Sequence, residues 1–326
     1  MKHVGRWIAL LGIVLAALLF QRQGFGAVVN LLRVGGYGLV AAALFHVVPM
    51  ALNARAWQAL MQASERVALP PLVLANWLRE SVNGLLPVAR VGGELAAYRL
   101  LIRRGSGSVP VAASLIADLA VSVVSQSLFT LLGLGLLIGL GLDSRLAWQL
   151  AAGFATLFAL GVLLVLFQGS DLTARALRWA GRGFAGRWRH IIDQSARLDH
   201  GIQRIYERRG AVLACLGWQL AAWVAGAGEI LIALVVLGKP ASIEHALLIE
   251  AVIQTVSSVA FVVPGALGVQ EGAFLLVGAA LGFDGPTSLA LAATRRLRDV
   301  IVFVPGLLAW SWLEGKRKPR APLASS

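Results

Sequence analysis

The sequence predicts an all-α polytopic integral membrane protein, with about six spanning helices plus two re-entrant helical hairpins in an inverted-topology repeat. Three observations carry this expectation. Hydrophobic residues make up 58% of the 326, charged residues 14%, and mean hydropathy is +0.77; soluble domains run at about 45–50% and about 25%. The apolar residues gather in runs close to the roughly 20 needed to cross hydrocarbon. Finally, one short pattern occurs twice, with its prolines at 87 and 264, an offset of 177. The first copy is Ser81-Val82-x-x-Leu85-Leu86-Pro87-x-Ala89, with Glu94 beyond it, and the second is Ser258-Val259-x-x-Val262-Val263-Pro264-x-Ala266, with Glu271 beyond it. Paired hydrophobic segments interrupted by proline and glycine are a pointer to a transporter's substrate site.

Along the chain, spans are expected at about 6–22, 34–56, 110–138, 147–168, 211–237 and 286–312. The first begins with Lys2 and Arg6 ahead of an apolar run, as a signal peptide does, but no convincing A-x-A site follows that run, so a retained helix is expected. Two further apolar regions, about 70–104 and 243–283, contain the repeated pattern. Proline removes a backbone donor and clashes with the preceding turn. Each region therefore reads as one arm in, a turn at Pro87, Gly92 and Gly93 or at Pro264, Gly265 and Gly268, and one arm out. Kinked spans are the alternative. The repeats then run over about 70–138 and 243–312 of a single membrane domain, with Pro110 and Pro286 opening the span after each hairpin.

Charge sets the expected orientation. Arg55, Arg66, Arg99, Arg103 and Arg104 lie between two spans, nine arginines lie in 169–210, and Lys316, Arg317, Lys318 and Arg320 lie in the tail. These regions are expected inside, which places both termini in the cytoplasm. The net charge of +13 then reflects topology and anionic lipid rather than nucleic acid. An odd number of spans separates the hairpins, so the first enters from the cytoplasm and the second from outside. Segment 169–210 alternates apolar residues with its arginines and is expected as amphipathic surface helix, a solvated linker being the alternative. Trp7, Trp57, Trp148, Trp218, Trp310 and Trp312 sit near span ends, as interfacial tryptophans do.

Charges at membrane depth cost roughly 2.5–3.5 kcal/mol each and need a partner or a function. Glu80 and Asn83 precede the first break, Arg90 lies in it and Glu94 follows it; Gln270 and Glu271 follow the second. Asp118 lies in one span, and Arg295, Arg296, Arg298 and Asp299 in the last. Offset by 177, Asp118 superposes on Arg295. Functionally these residues read as a midplane cavity in which Arg295 and Arg298 hold a polar or anionic headgroup, aided by helix N-termini after each break. Otherwise they are static pairs, for example Arg295 with Asp299. Glu229 and Glu250 are lone carboxylates in apolar runs, and His46 reads as a core histidine.

Other chemistries lack residues to carry them. Cys215 is the single cysteine, the five histidines have no metal-ligand spacing, and neither HExxH nor GxxxxGK[ST] occurs. No metal, cofactor or catalytic residue is expected.

The stretches Glu80-Ser-Val-Asn-Gly-Leu-Leu-Pro87-Val-Ala-Arg-Val-Gly-Gly-Glu94, Pro264-Gly-Ala-Leu-Gly-Val-Gln-Glu271-Gly and Thr294-Arg-Arg-Leu-Arg-Asp299 resemble the flippase-like membrane family that includes the transmembrane region of lysylphosphatidylglycerol synthase. Their detail is most similar to the subfamily associated with hopanoid biosynthesis. The resemblance covers roughly the whole chain and implies an inner-membrane protein that moves or presents polar lipids, possible substrates being hopanoids or anionic phospholipids. The synthase's aminoacyl-transferase domain has no counterpart after Trp312, so lysyl transfer is not expected. Arg90 beside the glycines departs from the simplest form of the motif. Two other classes compete with a translocator: an intramembrane lipid-modifying enzyme, and a scaffold docking lipid-biosynthesis enzymes through 169–210.

Overall fold

The computed structural model describes residues 25–86, 92–141, 148, 151–153, 155–156, 159, 188–259 and 266–315. Outside these lie the expected first helix, Pro87, Arg90, Pro264, Gly265, most of the span at 147–168, residues 169–187 of the basic segment and the basic tail. Within them the secondary structure is helical: α1 (Phe25–Phe45), α2 (Val47–Leu60), α3 (Leu69–Leu85), α4 (Gly92–Arg103), α5 (Ser108–Gly139), α6 (Trp188–Glu207), α7 (Arg209–Val236), α8 (Ile243–Val259), α9 (Val269–Ala280), α10 (Gly285–Arg298), a π segment (Asp299–Phe303) and α11 (Val304–Gly315).

Among the described residues, three helices are long and apolar enough to cross a membrane: Leu32–Leu60, Ser108–Gly139 and Arg209–Val236. They correspond to the expected spans at 34–56, 110–138 and 211–237. Leu128, Leu131, Leu132 and Ile138 on α5, and Leu213, Val224 and Val235 on α7, stay exposed. An apolar belt of this kind needs lipid to cover it. The expected span at 286–312 is interrupted. Pro305 has no N–H for the carbonyl one turn back, and the helix widens into the π segment, where the Val304 amide reaches back to the Asp299 carbonyl. The Trp77 indole donates to the Val302 carbonyl at 2.7 Å, satisfying an acceptor there. A similar break sits at His46, between α1 and α2 and three residues before Pro49.

Helices α3 and α8 have 17 residues, and α4 and α9 have 12, about 26 and 18 Å at 1.5 Å per residue. None alone reaches across a core of about 30 Å. α3 packs on α4, and α8 on α9. The element bounds keep the offset seen in the sequence: α4 runs 92–103 and α9 runs 269–280, while α5 starts at 108 and α10 at 285.

Side-chain ties place the helix ends. Gln58 at the end of α2 donates to the Val67 carbonyl just before α3 (2.8 Å), and Arg103 at the end of α4 donates to the Leu313 carbonyl near the end of α11 (2.6 Å). Arg208, ahead of α7, donates to the carbonyls of Leu60 and Met61. The α3–α4 pair therefore opens at the end where α2 and α11 finish. Lys239, after α7, pairs with Asp284, ahead of α10, at 3.3 Å. The α8–α9 pair opens at that other end.

Two sequence expectations change. Trp57 is core, 1% exposed with its indole donating to Ser114 Oγ at 3.0 Å, not an interfacial anchor. Helix α6 does not simply lie on a surface. Its Ile202 and Ile205 are buried against Leu60, Ala113 and Ala117 of α2 and α5, and Gly201 lets the backbones approach where a Cβ would press on Ala113.

Candidate functional site

Two buried ionic clusters lie among these helices. In the first, Arg79 of α3 donates through Nε to Glu94 of α4 (2.8 Å) and through Nη1 to Asp118 of α5 (2.6 Å). Gln219 of α7 donates to Asp118 Oδ1 at 3.0 Å. The close approach of α3 and α4 depends on Gly93, where a Cβ would run into the Arg79 carbonyl and Asn83. Asn83 Oδ1 accepts from the Gly93 amide at 2.8 Å, so the first arm caps the second.

The second cluster is larger. His46 Nδ1 contacts Glu229 of α7, and its Nε2 lies 2.9 Å from Glu80 of α3. Asn76 donates to the other Glu80 oxygen at 2.8 Å. Arg298 reaches Glu229 at 3.5 Å and Asp299 at 2.7 Å. Asp299 also takes Arg296 at 3.4 Å, and Arg296 Nε donates to Glu271 at 2.8 Å. Glu271 closes the start of α9 by accepting from the Gly268 amide at 2.8 Å. Gly268 sits at φ +77°, a conformation that suits glycine. Beside this chain, Arg295 of α10 pairs with Glu250 of α8, and Gly226 of α7 leaves room for the Glu250 carboxylate.

Positions 177 residues apart make comparable ion pairs. Asp118 and Arg295, equivalent under the 177-residue offset, each pair with the first arm of their own half: Asp118 with Arg79, Arg295 with Glu250. Glu94 and Glu271 are each the third residue of the second arm, and each takes an arginine Nε at 2.8 Å. Their negative charge offsets the positive helix ends at the breaks.

Of the residues singled out by sequence, Glu80, Glu271, Arg298 and Asp299 meet in one network, with Arg295 alongside it. Glu94, Asn83 and Asp118 form the other. Gln270 donates to Ser257 Oγ at 2.8 Å, tying α9 to α8. Arg295 pairs with Glu250, not with Asp299 as a helical turn's spacing invites. Arg295 and Arg298 do not present open guanidiniums to an anionic headgroup, since each has a carboxylate partner. Sequence reasoning passed over Arg79, although an arginine next to Glu80 in one apolar arm was a legible signal. His46, expected as a core histidine, is largely buried with both ring nitrogens partnered, but its two carboxylate partners were not foreseen.

An open apolar groove of about 600 Å³ adjoins the second cluster. Its walls include Leu44, Val47, Met50, Val73, Trp77 and Val302; Leu44 and Val47 flank His46 in the chain, and Val73 and Trp77 lie about two turns and one turn before Glu80 on α3. Phe303 stands edge-on to the His46 ring, 5.4 Å between centroids.

The family model described as the lysylphosphatidylglycerol synthase TM region matches residues 7–306 of this chain. Among curated proteins and among solved structures, nothing matches it.

Proposed function

We propose a lipid-translocating role, from the premise that this chain belongs to the lysylphosphatidylglycerol synthase TM-region family. It is a membrane protein of a family tied to lipid modification or transport. Our reading is narrower: a non-enzymatic translocator that passes a polar lipid headgroup through the ionic clusters while the tails stay in the bilayer. The observation that carries it is the pair of short helix pairs, α3–α4 and α8–α9, opening at opposite ends of the molecule with charged residues between them. In a bilayer this arrangement reads as two re-entrant hairpins in an inverted repeat, with non-helical backbone tolerated where protein covers it. The apolar groove beside His46 supports a lipid as the cargo, because a chain can lie in it while its headgroup meets the polar cluster. Six spans, an inner-membrane location, cytoplasmic termini and a hopanoid-type lipid are further parts of the proposal. Hopanoid involvement rests on resemblance.

Purified protein in liposomes with headgroup-labelled lipids tests the reading. Wild type should redistribute label between leaflets, and Glu94→Gln, Glu271→Gln and Arg298→Ala should each lose most of that activity while remaining folded. Wild type that moves no lipid under any gradient would refute it.

A further inference from the structure

Among the described residues, the second cluster holds more acid than base. Glu80, Glu229, Glu250, Glu271 and Asp299 face Arg295, Arg296 and Arg298, five carboxylates against three guanidiniums. With a neutral His46, the described residues of the group carry five negative charges against three positive ones. Such an excess in a buried site is costly, and a bound cation relieves it.

The geometry at His46 specifies which cation. Both ring nitrogens lie within hydrogen-bonding reach of carboxylate oxygens, Nδ1 to Glu229 and Nε2 to Glu80. A neutral imidazole has one N–H and one bare nitrogen. Two ionised carboxylates on a neutral ring would leave a lone pair facing a lone pair. The arrangement is satisfied when the triad holds one further proton, on the ring or on a carboxyl. A metal does not fit: the ring stands between the carboxylates with no common point for an ion, and among the described residues no group of three or more His, Cys, Asp or Glu side chains is set to hold one.

We propose that the Glu80–His46–Glu229 triad is a proton-binding site and that the proton is the coupling ion of transport. The coupling half rests on the translocator reading; the binding half does not. Glu80 is the entry, with 23% of its side chain exposed against 6% for Glu229. The proton joins the ring and makes the imidazolium that bridges both acids. When it leaves, one carboxylate loses its donor. Arg298, at 3.5 Å from Glu229 and bonded to Asp299, is placed to take up Glu229. That exchange loosens Arg298 from Asp299 at the start of the π segment. The groups facing His46 are Glu80 from α3, Glu229 from α7, Arg298 from α10 and the Phe303 edge from the π segment. Loss of one proton thus reaches α3, α7 and α10 together, at the helix break ahead of Pro49.

Two measurements test this on the full-length protein. The first is ¹⁵N spectroscopy of labelled histidine, with His46 assigned by loss of its signal in His46→Gln. Near neutral pH both ring nitrogens should carry protons, and Glu80→Gln should lower the pH at which one departs. A neutral tautomer that does not titrate between about pH 5 and 9, the range a histidine site can reach, would overturn the binding site. The second imposes a pH gradient across liposomes. At one proton per lipid, each pH unit supports up to about a tenfold lipid asymmetry, and Glu80→Gln and His46→Gln should flatten this response. A sodium gradient at constant pH that drives transport equally well would overturn proton coupling. Wild type that moves no lipid in any gradient would refute the translocator and the coupling together, while the histidine spectra would still decide the proton site.

Discussion

At the level of single residues, the charges in this protein are best understood as pairs. Arg295 and Glu250 have side chains 3% and 2% exposed. Removing one partner of a buried pair leaves an uncompensated charge at a cost of about 3–5 kcal/mol, whereas replacing both by apolar residues is often neutral. Arg295→Leu should therefore sharply lower the thermal midpoint in detergent. Arg295→Leu combined with Glu250→Leu should recover most of the loss. If the double variant is as unstable as the single, the pair does more than neutralise charge. The same logic applies to Arg79, which serves Glu94 and Asp118 at once: Arg79→Leu should destabilise more than Asp118→Asn, because it strands two carboxylates instead of removing one.

At the level of helices, small residues and caps decide how the arms meet. A Cβ at Gly93 would run into the carbonyl of Arg79, and backbone cannot rotate away as a side chain can. Gly93→Ala should cost on the order of 1–3 kcal/mol by overpacking, read by thermal unfolding. Gly272→Ala on α9, with open space around its Cβ position, should cost little. At the start of α10, Asp284 accepts from the Thr287 amide at 2.7 Å. That bond lowers the Asp284 pKa below the usual carboxylate value. A depressed carboxylate contributes stability that is present above its unfolded pKa and lost as pH falls through the folded one. Asp284→Ala should thus cost about 1 kcal/mol at neutral pH and progressively less under acid.

For the whole molecule, the question is which end faces which side. Cys215 is the single cysteine and is buried, so Cys215→Ser provides a cysteine-free background. Glu65 lies at the end where α3–α4 opens and Ala241 at the end where α8–α9 opens, both exposed. A membrane-impermeant maleimide should label Glu65→Cys and Ala241→Cys from opposite sides of sealed vesicles. Labelling of both from one side would contradict opposed hairpins, whatever the transport assays report.

By itself the sequence determined the helical membrane class and located the three long apolar helices at 32–60, 108–139 and 209–236. These follow from one-dimensional properties: composition and run length. Only the tertiary structure decided which charge meets which. His46 and Glu229 are 183 residues apart, and spacing along one helix favoured Arg295 with Asp299 over the observed Glu250. It also drew Trp57 into the core and packed α6 against α2 and α5. The physical reason is that a buried charge takes whichever opposite charge packing brings within reach. That distance is set by how helices cross, which no single helix records.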